Sequence, residues 1–156
     1  MADTDLNAAT LTVTITESLA VGHDNGSTDN LDFAQTYTHT YASILNTSKR
    51  IIKLANTNLT EVVTFGTTTA DGAFVKADIK YIRVTNLDGT AALQVGLDKE
   101  TSTAEAAYVS VAANSSIMFT GTTLEGTSDG ATLVDATALK VKGVADHQLE
   151  VFIASV

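Results

Sequence analysis

Three histidines, 18 Asp and Glu and a scatter of serines are the side chains of this 156-residue chain that could carry chemistry, and their spacing decides which chemistries survive. His23, His39 and His147 stand far apart, and none belongs to an H-E-x-x-H or comparable arrangement, so paired-imidazole zinc ligation has no local support. The absence of Cys removes thiol nucleophiles, disulfides and cysteine metal sites together. Asp24, Asn25, Asp29, Asn30 and Asp32 crowd oxygen ligands into a short stretch, but the Gly and acid spacing does not match an EF-hand, and a solvated acidic loop accounts for them. Ser43, Ser48, Ser110, Ser115 and Ser116 lie in no G-x-S-x-G elbow, and no glycine-rich loop ending in Lys follows a strand-like segment. Serine-hydrolase and nucleotide readings fail on those grounds. Two carboxylates for glycoside hydrolysis would meet in space rather than in sequence, which leaves a small hydrolase as the least favoured class. Asp88, in Asn86-Leu87-Asp88-Gly89, has a turn role that explains both its carboxylate and the glycine after it. The expectation is a non-enzymatic protein with no catalytic residue, no cofactor and no metal.

Two groups remain as a candidate interface. Phe33, Tyr37 and Tyr41 share one face of a period-2 segment opposite Ala34, Thr36, Thr38 and Thr40, a stripe that serves strand packing first and a ligand platform second. Lys49, Arg50 and Lys53 form the only basic concentration, and their alternation with Ile51 and Ile52 fits a half-exposed strand that is either a solvated face or a docking patch. With 18 acids against 9 Lys and Arg, the net charge of -9 opposes a nucleic-acid binder and an anionic-membrane binder. No apolar stretch reaches the 18 or so residues that would span a bilayer, and the acidic N-terminus lacks the features of a signal peptide.

The elements that must position these residues are strands. Thr supplies about one residue in six, and with Val and Ile it favours extended backbone, because branching at Cβ restricts χ1 in helices and suits a pleated surface. Leu11, Val13 and Ile15 alternate with threonines in a first strand, and Gly22 to Asn30 reads as an exposed loop. Residues 48–54 and 59–65 read as a paired hairpin around Ala55-Asn56-Thr57-Asn58. Residues 79–85 and 91–97 read as a second hairpin around Asn86 to Gly89. Residues 107–111 fit a strand as well as a helical face, and the strand is chosen; Asn114-Ser115 turns the chain into Ile117 to Phe119, residues 121–136 form a long surface loop, and two closing strands flank residues 143–147. The expected architecture is all-β, an antiparallel β-sandwich or jelly roll of about eight to ten short strands. Residues 1–9 are expected to form a flexible arm and residues 10–156 a single sandwich domain.

At Lys80-Tyr81-Ile82-Arg83-Val84-Thr85-Asn86-Leu87-Asp88-Gly89, then Leu93-Gln94-Val95-Gly96-Leu97, and finally Leu149-Glu150-Val151-Phe152-Ile153-Ala154-Ser155, the chain resembles small virion structural proteins of marine and cyanobacterial tailed phages. The resemblance covers roughly the last half. It implies a β-sandwich accessory protein of the virion, such as a capsid decoration or cement protein held between subunits of the major capsid protein. Related modules in tails, necks and fibres imply the alternative, a partner that is a host-surface glycan or another tail protein. A homotrimer is the expected assembly. Phe33, Tyr37 and Tyr41 with Ile51, Ile52, Val62 and Val63 amount to more apolar surface than one small sandwich covers, and a closed three-fold ring avoids open-ended growth.

Overall fold

The computed structural model describes residues 8–19, 33–66, 74–99, 107–120 and 136–156, and the chain divides into two compact units at Ile44/Leu45. Of the expected N-terminal arm only Ala8 and Ala9 fall among them, and Ala9 already pairs with Ile44 at the start of a strand. The boundary at Ile44 sets the first strand pair apart from the region read from sequence as one domain over residues 10–156.

The first unit is a two-stranded antiparallel ribbon of β1 (Ala9–Leu19) and β2 (Phe33–Ile44). Strict alternation over both strands sorts their side chains. Leu11, Val13 and Ile15 lie opposite Tyr41, His39 and Tyr37 on one face, while Thr12, Thr14 and Thr16 lie opposite Thr40, Thr38 and Thr36 on the other. The threonine face is knitted by side-chain contacts of 3.4 Å between the hydroxyls of Thr14 and Thr38 and of Thr16 and Thr36.

The second unit is the sandwich. Its strands are β3 (Asn46–Lys53), β4 (Thr60–Gly66), β5 (Phe74–Val75), β6 (Ile79–Asn86), β7 (Leu93–Lys99), β8 (Ala107–Val111), β9 (Ser116–Thr120), β10 (Ala136–Lys142) and β11 (Gln148–Ser155). They form a five-stranded sheet in the order β5-β4-β10-β7-β8 and a four-stranded sheet in the order β3-β11-β6-β9. All pairs are antiparallel except β4 with β5. Among the described residues there is no α-helix, only a 3-10 turn at Lys76–Asp78, and hence no helix long and apolar enough to cross a membrane. The all-β sandwich expected from composition and alternation is what the chain forms.

Between the sheets lies one core. Val63, Leu93, Val95, Leu139 and Val141 come from the five-stranded sheet, and Ile82, Val84, Leu149, Val151 and Ile153 come from the four-stranded one. A fully buried side chain of this size contributes roughly 1.5–3 kcal/mol. The adjacent pair Val62-Val63 is buried on both residues because β4 carries a bulge there: Val63 pairs with Leu139 and Glu61 with Lys140, leaving Val62 as the extra residue. Both valines therefore belong to the core rather than to the surplus apolar surface expected from sequence.

Both expected hairpins are corrected. β3 pairs with β11 and β4 with β10, so the turn at residues 55–58 carries the chain from one sheet to the other. β6 and β7 are likewise in opposite sheets, and Asn86 to Gly89 is a corner, not a hairpin loop. The turn composition is correct in both places, but a polar turn between two strands that each bury one face serves an inter-sheet corner as well as a hairpin. The loop expected at residues 22–30 and all but Ala136 of that expected at 121–136 lie outside the described residues.

Candidate interaction surfaces

The ribbon aligns Phe33, Tyr37 and Tyr41 on one face, as period 2 requires, but does not treat them alike. Tyr37 is 51% exposed and Ile15, its cross-strand neighbour, is also exposed, whereas Tyr41 is buried at 8% with the His39 ring 4.5 Å away. The side chain of Phe33 lies outside the described residues. The exposed stripe is thus Ile15 and Tyr37.

Lys49, Arg50 and Lys53 do not form one patch. In β3 the register places Lys49 opposite Phe152, Ile51 opposite Glu150 and Lys53 opposite Gln148, on the outer face of the four-stranded sheet. Arg50 lies opposite Val151, on the core side, and its Nη2 donates to the Val62 carbonyl at 3.1 Å. Since Val62 belongs to the other sheet, Arg50 fastens the open edge of the sandwich. Its role as a docking residue is replaced by a structural one.

On the outer face Glu150 is held between two cations, Lys49 Nζ at 3.1 Å and Arg83 Nη2 at 2.6 Å. Burial pushes the Glu150 carboxyl up, but the two cations outweigh it and hold the group below the usual carboxylate range. Arg83 also lies 5.9 Å from the Phe152 ring, which meets Tyr81 edge-on at a 5.9 Å centroid separation. Lys53 reaches Asp146 at 2.8 Å, with both groups largely in water, where such pairs are worth little.

A buried polar cluster closes one end of the sandwich. Asn86 and His147 are fully buried, and Asn86 Nδ2 donates to the carbonyls of Ala91 (2.9 Å), Ala112 (3.0 Å) and Val111 (3.2 Å). With its nitrogen so committed, Asn86 Oδ1 must be the acceptor for Asp88 N at 3.0 Å and for His147 at 2.6 Å. His147 is therefore protonated on Nε2, and its Nδ1 sits buried without a hydrogen-bond partner. Beside it Asp88 accepts from the backbone N–H groups of Ala91 (2.9 Å) and Thr90 (2.8 Å) and from the Thr90 hydroxyl (2.9 Å). Those bonds push its carboxyl down to about 2. Asp88 is thus the turn-capping residue that the sequence indicates, and the cluster joins the β6–β7 corner to the β8–β9 and β10–β11 turns.

Among the described residues no group of three His, Asp or Glu is placed to hold a metal ion. No family model matches the chain, nor does any curated protein or solved structure. Sequence reasoning missed Arg83, Glu150 and Phe152 as one unit, because Arg83 and Glu150 are 67 residues apart and nothing local links them. Asn86 carried a signal that went unused: an Asn ending an alternating apolar strand, in register with buried Val84, occupies a core-facing position that demands hydrogen-bond partners.

Proposed function

We propose that this chain is a non-enzymatic structural protein of a tailed-phage virion, a capsid decoration or cement protein that stabilises coat-protein contacts as a homotrimer. The observation that carries the reading is the ribbon. Its Ile15 and Tyr37 are exposed together on one face of a two-stranded element, and an exposed apolar pair of this kind is the surface that a partner would cover. An accessory protein of this kind works by burying surface at joints between coat subunits, and a net charge of -9 suits a basic or mixed docking site. Copy number tests the reading: quantitative mass spectrometry of purified particles should find the chain near coat-protein stoichiometry, and its absence from particles would remove it. A few copies per particle would instead favour the second reading, a tail, neck or fibre module that binds a host-surface glycan. The half-exposed Tyr37 ring supports that second reading, since an exposed aromatic face stacks on sugar rings as readily as on protein.

A further inference from the structure

Register lays out the outer face of the five-stranded sheet. Tyr108 on β8 lies opposite Gly96 on β7, Gly96 opposite Lys140 on β10, and Lys140 opposite Glu61 on β4. The next row on that face holds Ser110, Gln94 and Lys142. Gly96 has no side chain and is nevertheless buried, as happens when an aromatic side chain from the neighbouring strand lies across a glycine. Tyr108 also acts as far along the row as Lys140. The Lys140 ammonium is pushed up chiefly by its hydrogen bond to Asp98, and Tyr108 and Glu61 add to the effect. A Tyr108 ring laid over Gly96 towards Lys140 turns one face to the sheet and the other to solvent, and the residue is 39% exposed.

The surroundings of the ring narrow what it can hold. Among the described residues, Tyr108 is the one large apolar side chain exposed on the outer face of that sheet, and a single ring does not make the apolar centre of a protein interface. The charges of the face cancel, with Lys140 and Lys142 against Asp98 and Glu61. Lys140 is bonded to Asp98, and Glu61 accepts from the Thr64 hydroxyl at 2.6 Å, so the face favours neither an anion nor a cation. Gln94 and Ser110, both exposed, set donors and acceptors beside the ring. An uncharged molecule with one C–H face and a rim of hydroxyls meets all of these conditions. We infer that the outer face of the five-stranded sheet binds a neutral pyranose sugar, its C–H face stacked on the Tyr108 ring and its hydroxyls bonded to Gln94 and Ser110. The site goes beyond the structural reading and is separate from Tyr37 on the ribbon.

Saturation-transfer difference NMR on the full chain tests the site, with methyl β-D-glucopyranoside, methyl β-D-galactopyranoside and N-acetylglucosamine as probes. One stacked ring with two polar neighbours predicts a dissociation constant of about 1–10 mM for at least one probe, with saturation strongest on the protons of one pyranose face. Tyr108→Ala should weaken that binding at least about tenfold, whereas Tyr108→Phe should hold it within about threefold, because stacking uses the ring and not the hydroxyl. Gln94→Ala with Ser110→Ala, at two exposed positions, should weaken it about fivefold with the thermal midpoint unchanged, and this pair carries the test if Tyr108→Ala fails to fold. Tyr37→Ala should change nothing. No binding of any probe up to about 50 mM, or binding that survives both Tyr108→Ala and the paired change, refutes the site. Loss of binding on Tyr37→Ala and not on Tyr108→Ala also refutes it, and moves the sugar to the ribbon. Copy number in the particle is read separately, so failure of the sugar site leaves the structural reading standing.

Discussion

Replacing Asn86 by Ala tests whether the buried polar cluster holds the corner of the sandwich. The side chain makes five contacts: its two N–H bonds are shared among the Ala91, Ala112 and Val111 carbonyls, and its oxygen accepts from Asp88 N and His147 Nε2. Water can replace some of them, since the Ala91 and Ala112 carbonyls and Asp88 N are only partly buried. The His147 Nε2–H and the Val111 carbonyl cannot be so rescued, because both contacts are buried. Two stranded polar groups at roughly 1–3 kcal/mol each predict a loss of about 4 kcal/mol. In a unit that spans Leu45–Val156, such a loss lowers the thermal midpoint by roughly 15 °C. Urea unfolding followed by far-ultraviolet circular dichroism measures the loss directly. His147→Ala should cost less than Asn86→Ala, because Asn86 keeps its other partners, and the double variant should lose at least about 1 kcal/mol less than the sum of the single ones. A loss below about 1 kcal/mol for Asn86→Ala, or strict additivity with His147→Ala, would refute the clamp.

Gly143→Ala should destabilise by about 1–3 kcal/mol, because the added Cβ would stand 2.7 Å from His147 Nδ1 and 3.1 Å from Leu54 Cδ1, both on fully buried side chains; His147→Ala in the same chain should relieve part of it. Asp88 contributes to an acid limb: its folded carboxyl sits at about 2 against a reference of 3.8, so its stabilisation is complete above pH 4 and drains away between pH 4 and 2. Asp88→Asn keeps an acceptor oxygen and should flatten that limb in a pH series of urea midpoints, and an unchanged slope would count against the turn-capping role. Glu150, also lowered, should lose its contribution as pH falls below the usual carboxylate range, and Glu150→Gln should weaken the sandwich while leaving Lys49 and Arg83 as unpaired neighbours. Deleting residues 1–8, ahead of the Ala9–Ile44 pair, should leave the thermal midpoint nearly unchanged, as read by calorimetry.

Period-2 reasoning carried the strands a long way and stopped where it had to. Ala107, Tyr108 and Val111 suit a helical face with Ala104, yet residues 107–111 form the strand that Ala107, Val109 and Val111 indicate: it is β8, antiparallel to β7 with Tyr108 opposite Gly96. The alternation of Leu11, Val13 and Ile15 likewise placed Tyr37 and Tyr41 on one ribbon face. What alternation cannot supply is the partner across the sheet, which depends on closures of 67 to 109 residues: β3 finds β11 and not β4, and Glu150 finds Lys49 and Arg83. The same limit explains the basic cluster. Adjacent in sequence, Lys49 and Arg50 must point to opposite faces of a strand, so a run that reads as one patch becomes an exposed cation on one side and an inter-sheet fastener on the other. Parity alone divides the run into an outward pair, Lys49 and Lys53 with Ile51 between them, and an inward Arg50. Ile51, 66% exposed between Lys49 and Lys53, is therefore the apolar centre of the outward face of β3, and each flanking lysine already has its acid, Glu150 and Asp146.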